Sequence, residues 1–244
     1  MPQILSCITD QHDPLFLGLA AIICILATAS AFLMMFHAAK LREYRRAVVW
    51  HLCAGMISAV GLWATHFVAM IAFDASVPVA HTLSSAFFSL GVSVIFQSFI
   101  AWRLGYEHFK KRASIPYWAW GVLSGLGVAA MHFAGMSGFH AAAILVWNAP
   151  MIIFAILAGC AVSALATQLH TINSTLKIKA AQIGLMILST LILHFGSMAA
   201  LTIIPTEAAA GSLNGVDKAS LALVVIFCAS LVLFVGSLTV LADQ

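Results

Sequence analysis

Seven long apolar runs, separated by short polar stretches, take up almost the whole of this chain. Each run holds about 20 or more mostly apolar residues, the length that an α-helix needs to cross the hydrocarbon core of a bilayer. Only 8% of the 244 residues are charged, too few to cover a soluble domain of this size. We therefore predict an all-α membrane protein surrounded by a lipid bilayer. The predicted transmembrane helices, spans 1 to 7, are residues 15–38, 47–73, 81–104, 116–140, 145–168, 180–204 and 219–241.

Basic residues gather in three of the loops between these spans. They are Lys40, Arg42, Arg45 and Arg46 between spans 1 and 2, Arg103, Lys110, Lys111 and Arg112 between spans 3 and 4, and Lys177 and Lys179 between spans 5 and 6. Because cytoplasmic loops of membrane proteins carry an excess of Lys and Arg, we predict an outer N-terminus and a cytoplasmic C-terminus. Topology accounts for the basic loops, so no nucleic-acid partner is predicted.

A motif of the form His-Phe-x-small-Met occurs three times, near the ends of spans 2, 4 and 6. Its copies pair His66 with Met70, His132 with Met136, and His194 with Met198. Since each copy ends the second helix of a hairpin, we predict three repeated helix hairpins in one orientation plus a seventh helix. The repeat units are about 15–73, 81–140 and 145–204, with the extra helix at 219–241, in one domain of residues 1–244. Parallel repeats favour a pseudo-threefold axis along the membrane normal, with spans 2, 4 and 6 as an inner ring.

The spacing within each copy places the two side chains on one helix face, because residues i and i+4 are neighbours on a helix. His66 follows Val48 by about 18 residues, or roughly 27 Å along a helix. It is therefore predicted to lie in the outer part of the bilayer, with the other two copies at a similar depth. Three imidazoles and three thioethers are expected to meet near the outer membrane face.

This set of donors favours a soft metal ion. Neutral imidazole is a common metal ligand, and thioether sulfur prefers Cu(I) to hard ions. No carboxylate falls inside the spans at this depth, which argues against calcium, magnesium and manganese. Zinc binds three histidines readily but methionine rarely. Copper is the predicted cofactor. The alternative is that each histidine hydrogen-bonds a neighbouring helix and each methionine fills apolar space.

The three motif copies, each near the outer end of its helix, resemble the MHYT domain, a bacterial seven-helix membrane sensor family. The resemblance extends over essentially the whole chain. It implies a multi-pass protein of the bacterial inner membrane that binds copper near the outer face and responds through it to O2, CO or NO. It also implies a cytoplasmic signalling partner, since in many members the domain precedes diguanylate cyclase or phosphodiesterase modules. By motif position, the ligands would be His66, His132 and His194, with Met70, Met136 and Met198 as companions.

The match to the family motif is incomplete. The string Met-His-Tyr-Thr is absent, and its nearest form is the stretch from Met131 to Ala134. Met131 points away from the face that carries Met136, so it is not placed among the ligands. No output module is recognised after span 7, and the output is expected from another protein or from a part of the gene beyond this sequence.

We interpret the chain as a metal-binding sensor domain and not as an enzyme, because no nucleophile–base arrangement or carboxylate pair emerges from the pattern. The alternatives are a copper-handling or transport protein, and a membrane enzyme with a copper or haem centre, since His and Met also bind haem iron. The spans lack the Asp, Glu or Lys relay expected of a proton-coupled transporter. The outer histidines His12, His81 and His140 form either a second site or metal access path or, as we expect, solvated loop residues.

Overall fold

The structure, a computed structural model, describes residues 2–111, 113–169, 175–206 and 215–242, with side chains described between residues 6 and 231. Arg112, one of the basic loop residues, lies outside the described residues. The helices within these ranges are α1 (Pro2–Asp10), α2 (Pro14–Ala38), α3 (Tyr44–Ala72), α4 (Leu83–Lys110), α5 (Tyr117–Met136), α6 (Ala149–Gln168), α7 (Leu176–Met198) and α8 (Lys218–Ala242). Spans 1 to 7 correspond in order to α2 to α8.

Six of the described helices, α2 to α7, are long and apolar enough to cross a membrane. The chain is therefore a multi-pass membrane protein. Helix α8 is apolar over its fully described part, from Lys218 to Leu231, and its backbone continues as a helix to Ala242. Helix α1 was not predicted, because its nine residues are too few to register as a span.

Side-chain caps define where several of these helices begin. The carboxylate of Asp13 accepts hydrogen bonds from the backbone N–H groups of Leu15 and Phe16, at 2.9 and 3.2 Å. Asn148 and Thr175 cap α6 and α7 in the same way. Helices α2 and α6 also carry proline in their first turn, where its missing N–H costs no helical hydrogen bond. These caps supply acceptors for backbone donors that the helix itself leaves unpaired.

Four short strands lie at the end of the bundle where α3, α5 and α7 finish. They are β1 (Val79–His81), β2 (Phe139–Ala141), β3 (Ala143–Trp147) and β4 (Leu201–Pro205). Strand β1 pairs with β2 and β3 pairs with β4, both antiparallel. The predicted helical bounds at 81, 140, 145 and 204 are therefore wrong, because these residues belong to strands or to the connections between them.

The reason is that apolar content alone does not separate a helix end from a strand. Residues 143–147 and 201–205 are rich in Ile, Val, Trp and Thr, which favour a pleated, half-buried surface. In β3 the side chains of Ile144 and Val146 are exposed and alternate with less exposed neighbours. The two β-ribbons, β1–β2 and β3–β4, join loops of different hairpins by backbone hydrogen bonds across the end of the bundle.

Consecutive helices from α2 to α7 pack side by side, and α3, α5 and α7 meet where they carry the His-Phe motif. Helix α8 packs along α3, where Leu221 and Val225 join Trp63 and Phe67 in the main apolar core. Burial is unequal among the three inner helices. In their most apolar stretches, 67% of the residues of α3 and 61% of those of α5 are buried, against 22% in α7. One side of α7 is therefore left uncovered by the helices described.

Small polar residues connect neighbouring helices through backbone carbonyls. The hydroxyl of Ser93 on α4 donates to the carbonyl oxygen of Ala59 on α3 at 3.0 Å. The hydroxyl of Ser189 on α7 donates to the carbonyl oxygen of Gly159 on α6 at 2.8 Å. Small residues allow this close approach, which is how helices associate where lipid removes the usual hydrophobic driving force.

The other end of the bundle, which carries the basic loops, contains a buried carboxylate that the sequence pattern did not single out. Glu107 is 1% exposed and accepts from Arg103 Nη2 at 3.2 Å, from the backbone N–H of Ser114 at 3.1 Å and from Trp120 Nε1 at 3.1 Å. The Arg103 guanidinium also lies 5.5 Å from the centre of the Trp120 ring. This network joins the end of α4 to the start of α5.

Replacing Glu107 with alanine is expected to destabilise the bundle by about 2 kcal/mol or more, because the donors of Ser114 and Trp120 lose a buried acceptor. Thermal unfolding in detergent, followed by circular dichroism, measures the change. Glu43→Ala is the matched control, since Glu43 is exposed and makes no side-chain cap bond at the start of α3. Equal unfolding midpoints for the two variants would contradict a structural role for the Glu107 network.

Candidate metal centre

Three histidines, one from each inner helix, meet inside the bundle. His66 on α3, His132 on α5 and His194 on α7 are 4%, 2% and 8% exposed. The Nδ1 atom of His66 lies 3.2 Å from Nδ1 of His132 and 3.4 Å from Nδ1 of His194. The ring centres of the three imidazoles are 4.8 to 5.4 Å apart. The predicted convergence of the three motif copies is therefore present.

Hydrogen bonding alone does not satisfy this arrangement. A neutral imidazole nitrogen carries either one hydrogen or one lone pair, so Nδ1 of His66 cannot donate to one neighbour while accepting from the other. The Nε2 atoms of all three rings are buried, and each lacks a hydrogen-bond partner among the described residues. Buried polar atoms are normally paired, so the cluster has hydrogen-bonding and ligand-binding capacity that the described residues do not use.

Two of the nitrogen separations match those around a metal ion. Three nitrogens bound to one tetrahedral ion at about 2.0 Å lie about 3.3 Å from one another. The two Nδ1 distances from His66, 3.2 and 3.4 Å, bracket that value. Among the residues that the structure describes, these histidines make up the one group of three or more His, Cys, Asp or Glu side chains that could hold a metal ion.

The three predicted methionines form the next layer towards the end of the bundle. Met70, Met136 and Met198 are buried and belong to one apolar cluster with other side chains from α1 and from the helix ends. Each lies one turn beyond its histidine, as the spacing predicted. Met131 is equally buried but packs in the main core instead. The structure thus brings all six predicted site residues to the same end of the bundle.

The phenylalanine that follows each histidine packs against it edge-on. The ring centres of His66 and Phe67 are 4.7 Å apart, and those of His194 and Phe195 are 5.0 Å apart. His132 has the same relation to its own phenylalanine. These rings restrict how far each imidazole can rotate, which keeps the three nitrogens close together.

A glycine on α5 is required beside the centre. A Cβ atom at Gly135 would lie 2.8 Å from Nε2 of His66 and 3.2 Å from Cζ of Phe67. Such a contact to Nε2 is closer than real Cβ atoms make, so only glycine leaves room for the imidazole here. The motif has a small residue before each methionine, and at Gly135 the space that this leaves is occupied by His66.

Two outer histidines do not lie where we predicted. His12 and His81 are 6% and 2% exposed, so the prediction that they are solvated loop residues is wrong. Nδ1 of His12 is hydrogen-bonded to the carbonyl oxygen of Cys7 at 2.7 Å, whereas both nitrogens of His81 lack a partner in the described part of the chain. His140 is exposed, as expected. Helix α1 and strand β1 fold over the helix ends, and local sequence carries no signal for that tertiary contact.

Burial also decides the charge of these outer histidines. Loss of solvation, together with the nearby Lys218 ammonium group and the neighbouring His140 ring, lowers the pKa of His81 to about 4. Burial lowers the pKa of His12 as well, and Lys218 adds to the effect. Both rings are therefore neutral at pH 7 and keep a lone pair available.

The fold and the centre together define a class of protein, a multi-pass membrane domain with a three-histidine cluster at one end of its bundle. The model of the family MHYT, described as a bacterial signalling protein N-terminal repeat, matches residues 60–115 and 125–184. Each matched region contains one His-Phe motif, at His66 or His132, and the whole of the next helix, α4 or α6. The chain belongs to the MHYT family. It is thus a membrane domain of a bacterial signalling family.

Curated relatives agree with this assignment. An uncharacterized signalling protein of Caulobacter vibrioides is 31% identical over 83% of this chain and 24% of its own length. The bifunctional diguanylate cyclase/cyclic di-GMP phosphodiesterase MucR of Pseudomonas aeruginosa is 25% identical over 96% of this chain and 34% of its own length. The cyclic di-GMP phosphodiesterase NbdA of the same species is 27% identical over 64% and 19%. This chain therefore spans about a fifth to a third of the length of these relatives. No solved structure matches it.

Gly135→Ala is expected to displace the His66 imidazole, because the added methyl group takes the space of Nε2. In protein with ¹⁵N-labelled histidine, the His66 ring signals should shift. Gly91→Ala is the control, since a Cβ atom there meets nothing within 4 Å. Unchanged His66 signals in Gly135→Ala would mean that the close packing of α5 on His66 is incorrect.

Proposed function

We propose that this chain is a copper-binding sensor domain whose metal is held by His66, His132 and His194. The observation that carries the proposal is the meeting of three buried imidazoles, with Nδ1 of His66 lying 3.2 and 3.4 Å from Nδ1 of His132 and His194, distances close to those between ligands of one ion. Three converging imidazoles are a familiar ligand set for copper and for zinc.

The surroundings favour copper over zinc. Met70, Met136 and Met198 place three thioethers in the layer beyond the histidines, and thioether sulfur is a soft donor that stabilises Cu(I). No carboxylate belongs to the cluster, so the hard divalent ions lack their usual oxygen ligands. When bound, copper would supply a redox couple and a coordination position for a diatomic ligand such as O2, CO or NO.

The predicted orientation is part of the proposal. With seven spans and an outer N-terminus, the histidine end of the bundle lies near the outer membrane face and the basic end faces the cytoplasm. The length of α8, Lys218–Ala242, is sufficient for the seventh span. The cluster would then sit within the outer part of the bilayer, covered by the β-ribbons and α1.

Transmission would run along the inner helices. Helices α3, α5 and α7 each extend from the centre to the basic end, so a change in how the three imidazoles are held alters helix packing at both ends. The ligand must bind the two arrangements with different affinities for such a change to occur. We propose that a cytoplasmic signalling module or partner reads the change. The names of two relatives, MucR and NbdA, suggest cyclic di-GMP synthesis or breakdown as that output.

The buried polar groups support a sensor over a transporter. Glu107 is the one carboxylate within helices α2 to α7, and it is bonded to Arg103, Ser114 and Trp120 at the basic end. A carboxylate satisfied in this way does not form a relay towards the histidines. We therefore do not favour copper transport, and no observation favours a copper or haem enzyme.

Purified protein, loaded with copper without oxygen, is expected to retain about one copper ion per chain, because one cluster offers three ligands to one ion. Alanine at His66, His132 or His194 should each reduce retention strongly. His140→Ala is the control, since His140 is exposed at the same end of the bundle. Elemental analysis and an absorption spectrum provide the readout. Absence of copper in the wild type, or equal retention in all variants, would refute the proposal, and haem absorption would support an enzyme instead.

A further inference from the structure

The three seams between neighbouring hairpins are not equally closed. If the hairpins are equivalent, α3 should pack on α4, α5 on α6, and α7 on α2. The first two seams are tight, since a Cβ at Gly55 would lie 2.6 Å from Cα of Ser98, and one at Gly125 would lie 2.9 Å from Cα of Cys160. By contrast, α7 and α2 touch only sparsely. A cavity of about 580 Å³ lies at this third seam.

The walls of this cavity are almost entirely apolar. Its outer part is lined by lipid-exposed side chains such as Phe154, which is 68% exposed, and by Leu17. Its inner part is lined by small residues, among them Ala69, Ala155 and Gly196. Charged molecules cannot approach from this side, because the opening faces the hydrocarbon region between two membrane helices.

The cavity ends on the histidine centre. His194 forms part of its wall, and its side chain is only 8% exposed. Its Nε2 atom has no hydrogen-bond partner among the described residues. The other polar side chains of the wall are satisfied. The hydroxyl of Thr65 donates to the carbonyl oxygen of Gly61 at 2.8 Å, and that of Thr190 donates to its own helix at 3.1 Å. The imidazole is thus the polar group that the cavity leads to.

We propose that the seam between α2 and α7 is a side opening through which small, neutral, lipid-soluble molecules reach the centre at His194. The volume is many times that of a molecule of two heavy atoms, so the cavity acts as a passage and not as a fitted pocket. A saturated acyl chain is the competing occupant, and the access of dissolved O2 to His194 distinguishes the two. The inference deepens the proposed function by naming the route of the sensed molecule. The route itself exists without metal.

The test uses metal-free protein in lipid nanodiscs with ¹⁵N-labelled histidine, and dissolved O2 as a paramagnetic, lipid-soluble probe. Ala158→Phe narrows the passage, because Ala158 on α6 lines it. Ala161→Phe is the matched control, since Ala161 is exposed on the same helix and does not line the cavity. We expect O2 to broaden the His194 ring signals in the wild type and in Ala161→Phe, and to do so several times less in Ala158→Phe. A water-soluble gadolinium chelate should leave the His194 signals unchanged.

Three outcomes would overturn the inference. Equal broadening by O2 in both variants would mean that the seam is not the route. No effect of O2 in the wild type would mean that lipid chains fill the cavity. Broadening of the His194 signals by the gadolinium chelate would indicate a water-filled approach from the outer end, where His12 and Lys218 line an open cleft. If Ala158→Phe does not fold, Ala21→Phe narrows the same passage from α2.

A separate measurement of copper retention distinguishes a failure of the proposed copper sensor from a failure of the proposed side opening. Access of O2 to His194 in a protein that binds no copper would refute the sensor mechanism and leave the side opening intact. Copper binding with no O2 access would refute the side opening alone.

Discussion

The structure depends on three imidazoles that meet in an apolar interior, where they cannot satisfy all of one another's hydrogen bonds. A buried polar atom is costly unless it is paired, and the contacts among the Nδ1 atoms of His66, His132 and His194 cannot satisfy all three rings at once. Their surroundings follow from this constraint. Glycine at 135 makes room for one ring, a phenylalanine packs beside each ring, and β-ribbons and α1 cover the end of the bundle.

The three histidines come from equivalent positions in the sequence but occupy unequal environments. Helix α8 covers α3 through Leu221 and Val225, so the surroundings of His66 are closed. Helix α7 has no comparable cover, and the cavity beside it reaches His194. A repeat that is symmetric in sequence therefore produces a centre with one approachable side. This asymmetry gives a small molecule from the bilayer a defined place to interact with the centre.

Much of this arrangement could be predicted from local pattern. Six long apolar runs appear as helices α2 to α7, and the repeated His-Phe motif identified the side chains that converge. The failures share one cause. Residues 143–147 and 201–205 form strands because they pair with each other, from Ala143 with Pro205 to Trp147 with Leu201, and no short window detects pairing between residues 54 to 62 positions apart. The burial of His12 and His81 also depends on contacts between distant segments. The network around Glu107 depends instead on how the turn between α4 and α5 folds back on the end of α4.

The sequence by itself determined the approximate positions of six apolar helices, though not where each one ends, together with the basic end of the bundle and the i, i+4 pairing of histidine with methionine. These features are local, since hydrophobicity and helical periodicity act within a few turns. Only the tertiary structure decided that the Nδ1 atoms lie 3.2 and 3.4 Å apart, that His81 is buried, and that the seam between α2 and α7 stays open. Those features arise from the packing of helices that are far apart in the chain. Such packing depends on the shapes of both helices at once, which local sequence does not show.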